Sequence, residues 1–140
     1  MTSFEDIAKA TLKIECGNSS GSGFHFQKQD VVVTNFHVIK PYMSQGAKIF
    51  GKTELGNQIE LELLAYSPEN EFDYAILRMK GKLNEERVVL EPKCITPTRG
   101  IRVCFSGFPH GINDLLVQTA YVSGPFGEVG FYIDGFSERW

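Results

Sequence analysis

Short apolar segments separated by polar turns run along the whole chain. In segment 11–16, Thr-Leu-Lys-Ile-Glu-Cys, every second residue is apolar, which predicts a strand with Leu12, Ile14 and Cys16 on one face. Segment 58–65 alternates in the same way. Further strands are predicted at residues 24–26, 31–34, 47–50, 74–77, 88–90, 101–105, 115–122 and 129–133. This pattern is typical of an all-β protein built as an antiparallel barrel or sandwich.

Helix is predicted at only one place, near the N-terminus. Ser3 and Asp6 have the spacing of a capping box, which favours a short helix ending at about residue 9 or 10. The composition of segment 17–23, Gly-Asn-Ser-Ser-Gly-Ser-Gly, predicts a mobile loop, and no Gly-Lys-Ser/Thr follows to make a phosphate cradle. Other polar turns, loops or linkers are expected at 27–30, directly after Pro41, at 80–86 and at 107–111.

Length, composition and charge place the chain among ordinary globular proteins. Its 140 residues suffice for one good core, and 42% of them are apolar and 22% charged. The net charge is −3 and the basic residues form no stripe, so no nucleic-acid partner is expected. No segment has the pattern of a signal peptide or membrane helix. Three widely spaced cysteines, Cys16, Cys94 and Cys104, favour reduced thiols in the cytoplasm.

The chemistry of the chain is expected at His37. Residues 31–34 form a β-branched strand, and Asn35 ends the apolar run just before this histidine. A ring held there by packed backbone can face a cleft, and imidazole exchanges protons near neutral pH. A lone histidine after an apolar strand is also typical of a core or surface position. Partners elsewhere in the chain must therefore decide between these interpretations.

Asp73 is the candidate partner, because polar residues end abruptly there and an apolar strand follows. Its carboxylate can be partly buried and directed back across the fold, although aspartate at such a boundary is also common as a turn or cap residue. Glu60 and Glu62 are interpreted as part of the solvent-exposed face of an alternating strand, not as a catalytic pair. His25 is predicted to be a surface residue.

Metal binding is another class of site that these side chains suggest. Four residues are of ligand type, namely Cys16, His25, His37 and His110. No pair among them has the short spacing of a metal-binding motif. We therefore expect neither a metal ion nor another cofactor.

Five short motifs occur in order along the chain, at segments 21–24, 33–38, 72–77, 107–111 and 121–124. They contain the patterns G-S-G-F, T-N-x-H-V, D-x-A-[IVL]-L, a G-x-P-x-G turn and a V-S-G strand end. In this order the motifs resemble those of the chymotrypsin-fold peptidases, in particular the HtrA-type branch. The resemblance extends from about Thr11 to the C-terminus.

The resemblance implies a Ser-His-Asp mechanism acting on a polypeptide substrate. His37 would be the general base, and Asp73 would accept the other ring N–H and stabilise the imidazolium as it forms. Residues 1–83 would form an N-terminal β-barrel that carries both side chains. Residues 84–140 would supply a linker and an incomplete second β-barrel, giving a chymotrypsin-like double antiparallel barrel with a short N-terminal helix.

The chain departs from the family at the nucleophile, because no G-[DN]-S-G-G segment occurs in the 140 residues. The resemblance would place that serine at or just beyond Trp140, with the oxyanion hole and specificity pocket also missing. Ser137 lacks the two following glycines, Cys104 is expected to be a buried inert thiol, and two other serines, Ser106 and Ser123, are expected in turns.

Two functions therefore stay open. One is a trypsin-like serine endopeptidase of which this chain is a partial domain, inactive alone. The other is a catalytically dead protease-fold module that binds peptides or a partner protein. An open second barrel would leave a sheet edge free, so we also expect a homo-oligomer or a fused further domain.

Overall fold

The structure, a computed structural model, describes residues 3–92, 98–126 and 130–133. Its helices are α1 (Phe4–Ala10), α2 (Phe36–Gln45) and a 3₁₀ turn at Pro109–Gly111. Its strands are β1 (Thr11–Cys16), β2 (Ser19–Phe26), β3 (Lys28–Thr34), β4 (Ile49–Lys52), β5 (Gln58–Ser67), β6 (Tyr74–Met79), β7 (Arg102–Gly107), β8 (Leu116–Phe126) and β9 (Gly130–Ile133). The predicted all-β class is confirmed.

The first six strands form a closed antiparallel barrel in the order β1-β2-β3-β6-β5-β4. Apolar side chains on the inner faces of these strands meet α2 in a single core. Closure matters for stability because it leaves no unpaired edge within this half of the chain. The fully buried core residues include Leu12, Ile14, Val32, Ile39 and Leu77.

The remaining strands form a three-stranded sheet in the order β7-β8-β9. This sheet lies against β1 and β2 of the barrel. Thr11 Oγ1 and Ser106 Oγ are 2.9 Å apart, and Lys13 Nζ donates to Gly111 O across 2.8 Å. Because of these contacts β1 is buried on both faces, and Lys13 is only 6% exposed. The alternating pattern of β1 did not indicate this second buried face.

The N-terminal helix begins as predicted. Ser3 Oγ accepts the amide of Asp6 at 3.1 Å, and the Asp6 carboxylate accepts the amide of Ser3 at 3.3 Å. This reciprocal pair satisfies donors that the first helical turn leaves without a partner. Lys9, in the last turn, lies where a cation interacts favourably with the helix dipole. The helix ends at Ala10, and β1 begins at the next residue, Thr11.

Three predicted loops are wrong, at least in part. The turn expected at 27–30 is mostly strand, because β3 begins at Lys28. The glycine- and serine-rich segment 19–23 is part of β2, where it pairs with β1 from Cys16↔Ser19 to Leu12↔Gly23. Glycine is needed at Gly21 because a Cβ there would lie 2.5 Å from Val38 Cγ2, so the composition reflects close packing and not mobility. The residues around Pro41 form α2, in which this proline lies inside the helix, and the helix ends at Gly46 with φ +70°.

Residues 80–92 belong to none of the strands β1–β9, although a strand was predicted at 88–90. Instead, Leu90 forms an isolated parallel bridge with Phe26: its amide donates to His25 O at 3.0 Å, and its carbonyl accepts from Gln27 N at 2.9 Å. Val88 N donates to Lys9 O across 3.1 Å. We call residues 80–92 the connecting segment, and these hydrogen bonds hold it on the barrel surface.

Two predictions about side-chain burial are also wrong. His25, expected at the surface, is fully buried because residues of the connecting segment cover it. Cys104, expected as a buried thiol, is exposed on β7. Cys94 lies outside the described residues. Within the described parts of the chain, no helix is long and apolar enough to cross a membrane.

Candidate functional site

His37 lies in the first turn of α2, one residue after the helix begins. β3 ends at Thr34, and Asn35 has the extended conformation of an N-cap residue. Val38 and Ile39 are buried in the barrel core, so the helix is anchored by its inner face. His37 is on the opposite side, with 53% of its side chain exposed. The sequence predicted this residue at the end of a strand, but the structure places it on a helix.

Asp73 lies at the end of a tight turn between β5 and β6. Ser67 Oγ accepts the amide of Phe72 at 3.1 Å, and Pro68 O accepts the amide of Asp73 at 3.1 Å. These bonds bring the chain into β6 with Asp73 in the left-handed region, at φ +52°. Aspartate is one of the few residues other than glycine that adopt this conformation readily. The turn therefore directs its carboxylate toward α2.

The structure brings His37 and Asp73 into direct contact. His37 Nδ1 lies 2.8 Å from Asp73 Oδ2, and the His37 backbone amide donates to Asp73 Oδ1 across 3.0 Å. A carboxylate only accepts, so Nδ1 carries the proton. When the ring is neutral, Nε2 is the acceptor nitrogen, and it has no hydrogen-bond partner among the described residues.

The electrostatics keep the Asp73 carboxyl ionised. Its partial burial opposes ionisation, but hydrogen bonds from the ring and backbone of His37 outweigh this effect. The pKa of Asp73 is therefore held below the ordinary value for an aspartate. An ionised carboxylate bonded to Nδ1 would also stabilise the charge that develops when the ring accepts a proton at Nε2.

Two further contacts fix α2 relative to the turn that carries Asp73. The rings of Phe36 and Tyr66 stack with their centroids 5.0 Å apart and their planes inclined by 29°. Lys40 Nζ lies 2.9 Å from Glu69 Oε1. The ion pair is solvent-exposed and contributes little, whereas the aromatic stack is worth up to about 1 kcal/mol beyond its buried area. The two contacts therefore join α2, which carries His37, to the β5–β6 connection, which carries Asp73.

None of the other candidate nucleophiles within the described residues joins this pair. Ser106 lies in β7, where its hydroxyl contacts Thr11, and Ser123 lies in β8, so both turn assignments are wrong. Cys104 lies 3.9 Å from the Thr119 hydroxyl. Ser137 is outside the described residues. No group of three or more His, Cys, Asp or Glu side chains within the described ranges could hold a metal ion.

Sequence reasoning missed α2 and two residues that support the site, Asn35 and Ser67. Asn35 precedes an apolar run and Gly46 follows it, which are ordinary start and stop signals of a helix. The proline inside the segment concealed these signals. Ser67 lies two residues beyond the predicted strand 58–65, and nothing in its local sequence indicates that it accepts the amide of Phe72.

Comparison with known proteins identifies the fold. The structure of Deg5 superposes with a TM-score of 0.72 and 22% identity, covering 97% of this chain and 72% of that one. The serine endoprotease from Yersinia pestis gives a TM-score of 0.69 and 22% identity, covering 86% of this chain and 43% of that one. No curated protein sequence matches. The model of the trypsin-like peptidase domain matches residues 21–136, and the chain therefore belongs to that family.

Proposed function

We propose that this chain carries the histidine and aspartate of a trypsin-like serine endopeptidase of the HtrA-type branch. His37 Nε2 takes the proton from a serine hydroxyl and later gives it to the leaving amine. Asp73 keeps the ring in the Nδ1–H tautomer and stabilises the imidazolium. The substrate is a polypeptide. The observation that carries the proposal is the 2.8 Å contact between His37 Nδ1 and Asp73 Oδ2, on a half-exposed ring whose Nε2 has no hydrogen-bond partner in the described residues.

The proposed domain boundaries follow the two sheets. Residues 1–83 form the barrel that holds the pair, and residues 84–140 form the linker and part of a second barrel. The described residues contain only part of a second barrel, the sheet β7-β8-β9, and a second copy or a fused domain would complete it. Cys16 and Cys104 are free thiols, which supports a reducing, cytoplasmic location.

No G-[DN]-S-G-G segment occurs in these 140 residues, so we propose that the nucleophile of the triad is not among them. We expect no labelling of the 140-residue polypeptide by a fluorophosphonate probe, which reacts with activated serines. Stoichiometric labelling would show that an activated serine, such as Ser137, lies within the chain.

The decisive experiment uses the protein encoded by the full open reading frame that contains this chain, including any Ser-Gly-Gly segment that the frame encodes. We expect hydrolysis of an unfolded polypeptide such as casein, with a loss of kcat of about 10⁴-fold in Asp73→Asn and about 10⁶-fold in His37→Gln. Asp114→Asn, an exposed residue outside the site, is the matched control and should retain activity. Equal rates in wild-type protein and His37→Gln would overturn the proposed mechanism.

The alternative is a catalytically dead module that binds peptides or a partner protein. The observation that favours it is the missing nucleophile segment. A reading frame that continues past Trp140 without a serine followed by two glycines would support this alternative. Binding of unfolded polypeptide that persists in His37→Gln, without hydrolysis by the wild type, would then identify it.

A further inference from the structure

Asn35 occupies the N-cap position of α2 but makes no capping hydrogen bond. An N-cap asparagine ordinarily accepts the amide of the second or third helical residue with its side-chain oxygen. Here its Nδ2 donates in the other direction, to the backbone carbonyl of Asp73 at 2.9 Å. The side chain is therefore committed to the neighbouring turn and not to its own helix.

The missing cap is supplied by the residue to which Asn35 bonds. Asp73 Oδ1 accepts the amide of His37, the second residue of the helix, at 3.0 Å. Asn35 and Asp73, which are distant in sequence, thus each bond to the element of the other. The Asp73 carboxylate caps the helix in place of Asn35, and the Asn35 side-chain amide holds the backbone of Asp73. These two hydrogen bonds link β3, α2 and the turn before β6 at the point where His37 and Asp73 meet.

The backbone of Asp73 needs such a restraint. At φ +52° it lies in the left-handed region, which is less favourable than the right-handed and extended regions for a residue with a side chain. Its amide is bonded to Pro68 O, and its carbonyl to Asn35. With both ends of the residue held, rotation about its backbone dihedrals is resisted. Release of the carbonyl would allow the carboxylate to turn away from the His37 ring.

We infer that Asn35 is a positioning residue, which holds Asp73 in its left-handed conformation so that both carboxylate oxygens reach His37. This role rests on the proposed function, since it matters for catalysis only if His37 and Asp73 carry it. Asn35 itself touches no reacting atom. It acts by fixing the direction of the Asp73 carboxylate, and its loss would weaken the Nδ1 contact.

The test separates this role from simple helix capping. Asn35→Ser keeps an excellent N-cap side chain, free to bond to its own helix, but removes the amide that reaches Asp73. We expect unchanged stability to denaturant, together with an Asp73 carboxyl pKa that rises toward the ordinary value, measured by NMR titration of the side-chain carbon. Asn35→Ala should raise the same pKa and also lower stability. Asn18→Ser, at an exposed turn, is the matched control and should change neither quantity.

A second measurement follows hydrolysis in the protein that contains the nucleophile. Asn35→Ser is expected to lower kcat by about tenfold to a hundredfold with little change in KM, because misplacement affects the transition state more than substrate binding. An Asp73 pKa in Asn35→Ser equal to that of the wild type would overturn the positioning role, whatever the activity. Absence of hydrolysis by the wild type, with a raised pKa in the variant, would reject the proposed function and leave the restraint on Asp73 established.

Discussion

Arg87 donates its Nε–H to Nε2 of His25 across 3.1 Å, and both side chains are buried. The same guanidinium lies 3.1 Å from Glu85 Oε1 and donates to Thr11 O at 2.7 Å. The other ring nitrogen of His25 lies 2.8 Å from Gln29 O, so Nδ1 carries the proton and the ring is neutral. This network fixes the connecting segment to the barrel that carries the candidate site.

Stability should fall on mild acidification because of His25. Burial and the charge of Arg87 lower its pKa from 6.5 to about 4, so the unfolded chain binds the proton more readily. The stability contributed by the neutral ring is complete above about pH 6.5 and is lost progressively as pH falls toward about 4. From pH 7 to pH 5 we expect a loss of about 2 kcal/mol, measured by urea unfolding.

A variant isolates the contribution of this residue. His25→Gln keeps an amide that can donate to Gln29 O and accept from Arg87, but it does not titrate. Its stability should change much less between pH 7 and pH 5 than that of the wild type. Asn18→Gln, at an exposed turn, is the control and should keep the wild-type slope. A slope in His25→Gln equal to that of the wild type would show that other groups cause the pH dependence.

The buried guanidinium should matter far more than an exposed one. Arg87→Met has a similar shape but leaves the Glu85 carboxylate, 10% exposed, without its cation, and His25 Nε2 without its donor. We expect a loss of about 3–5 kcal/mol in the free energy of unfolding. Arg78→Met is the matched control, since Arg78 pairs with Glu62 at 2.7 Å on an exposed face, and it should cost less than about 1 kcal/mol. Equal losses in the two variants would contradict this account of the network.

Much of the barrel was predictable because its strands carry strong local signals. The alternation in β1 and β5 and the run that forms β3 identified these strands, since one face of each packs into the core. His37 and Asp73 were predicted as partners from the resemblance, and the structure places them in contact. Their catalytic role stays a prediction that the experiments above address.

The errors at His25, at residues 19–23 and in α2 share a physical cause, which is that a distant segment determined the local structure. His25 is buried because Arg87, 62 positions away, covers its ring. The strand at residues 19–23 depends on its pairing with β1 and on α2 packing above Gly21. In α2, burial of Val38 and Ile39 in the core outweighs the local effect of Pro41. None of these long-range contacts can be predicted from a short window of sequence.

A glycine inside β2 should tolerate no side chain. A Cβ on Gly23 would lie 2.8 Å from Val33 O and 3.0 Å from Ile14 Cγ1, and neither the backbone nor the buried Ile14 can move freely. We expect Gly23→Ala to lower the free energy of unfolding by about 1–3 kcal/mol. Gly81→Ala is the control, because its nearest neighbour would be Ile59 Cδ1 at an ordinary 3.6 Å. A Gly23→Ala variant as stable as Gly81→Ala would show that the barrel adjusts at this position.

The carboxylate of Asp73 should also stabilise α2, independently of any chemistry. It accepts the His37 amide where the helix lacks a cap from Asn35, so Asp73→Ala leaves that donor without a protein partner. We expect a stability loss of about 1 kcal/mol and faster hydrogen exchange at the His37 amide, with Asp114→Ala as the exposed control. Since the pKa of Asp73 is lowered, its contribution is complete above the ordinary carboxyl range and is lost only as pH falls through the folded-state pKa. Unchanged protection of the His37 amide in Asp73→Ala would mean that this carboxylate does not cap the helix.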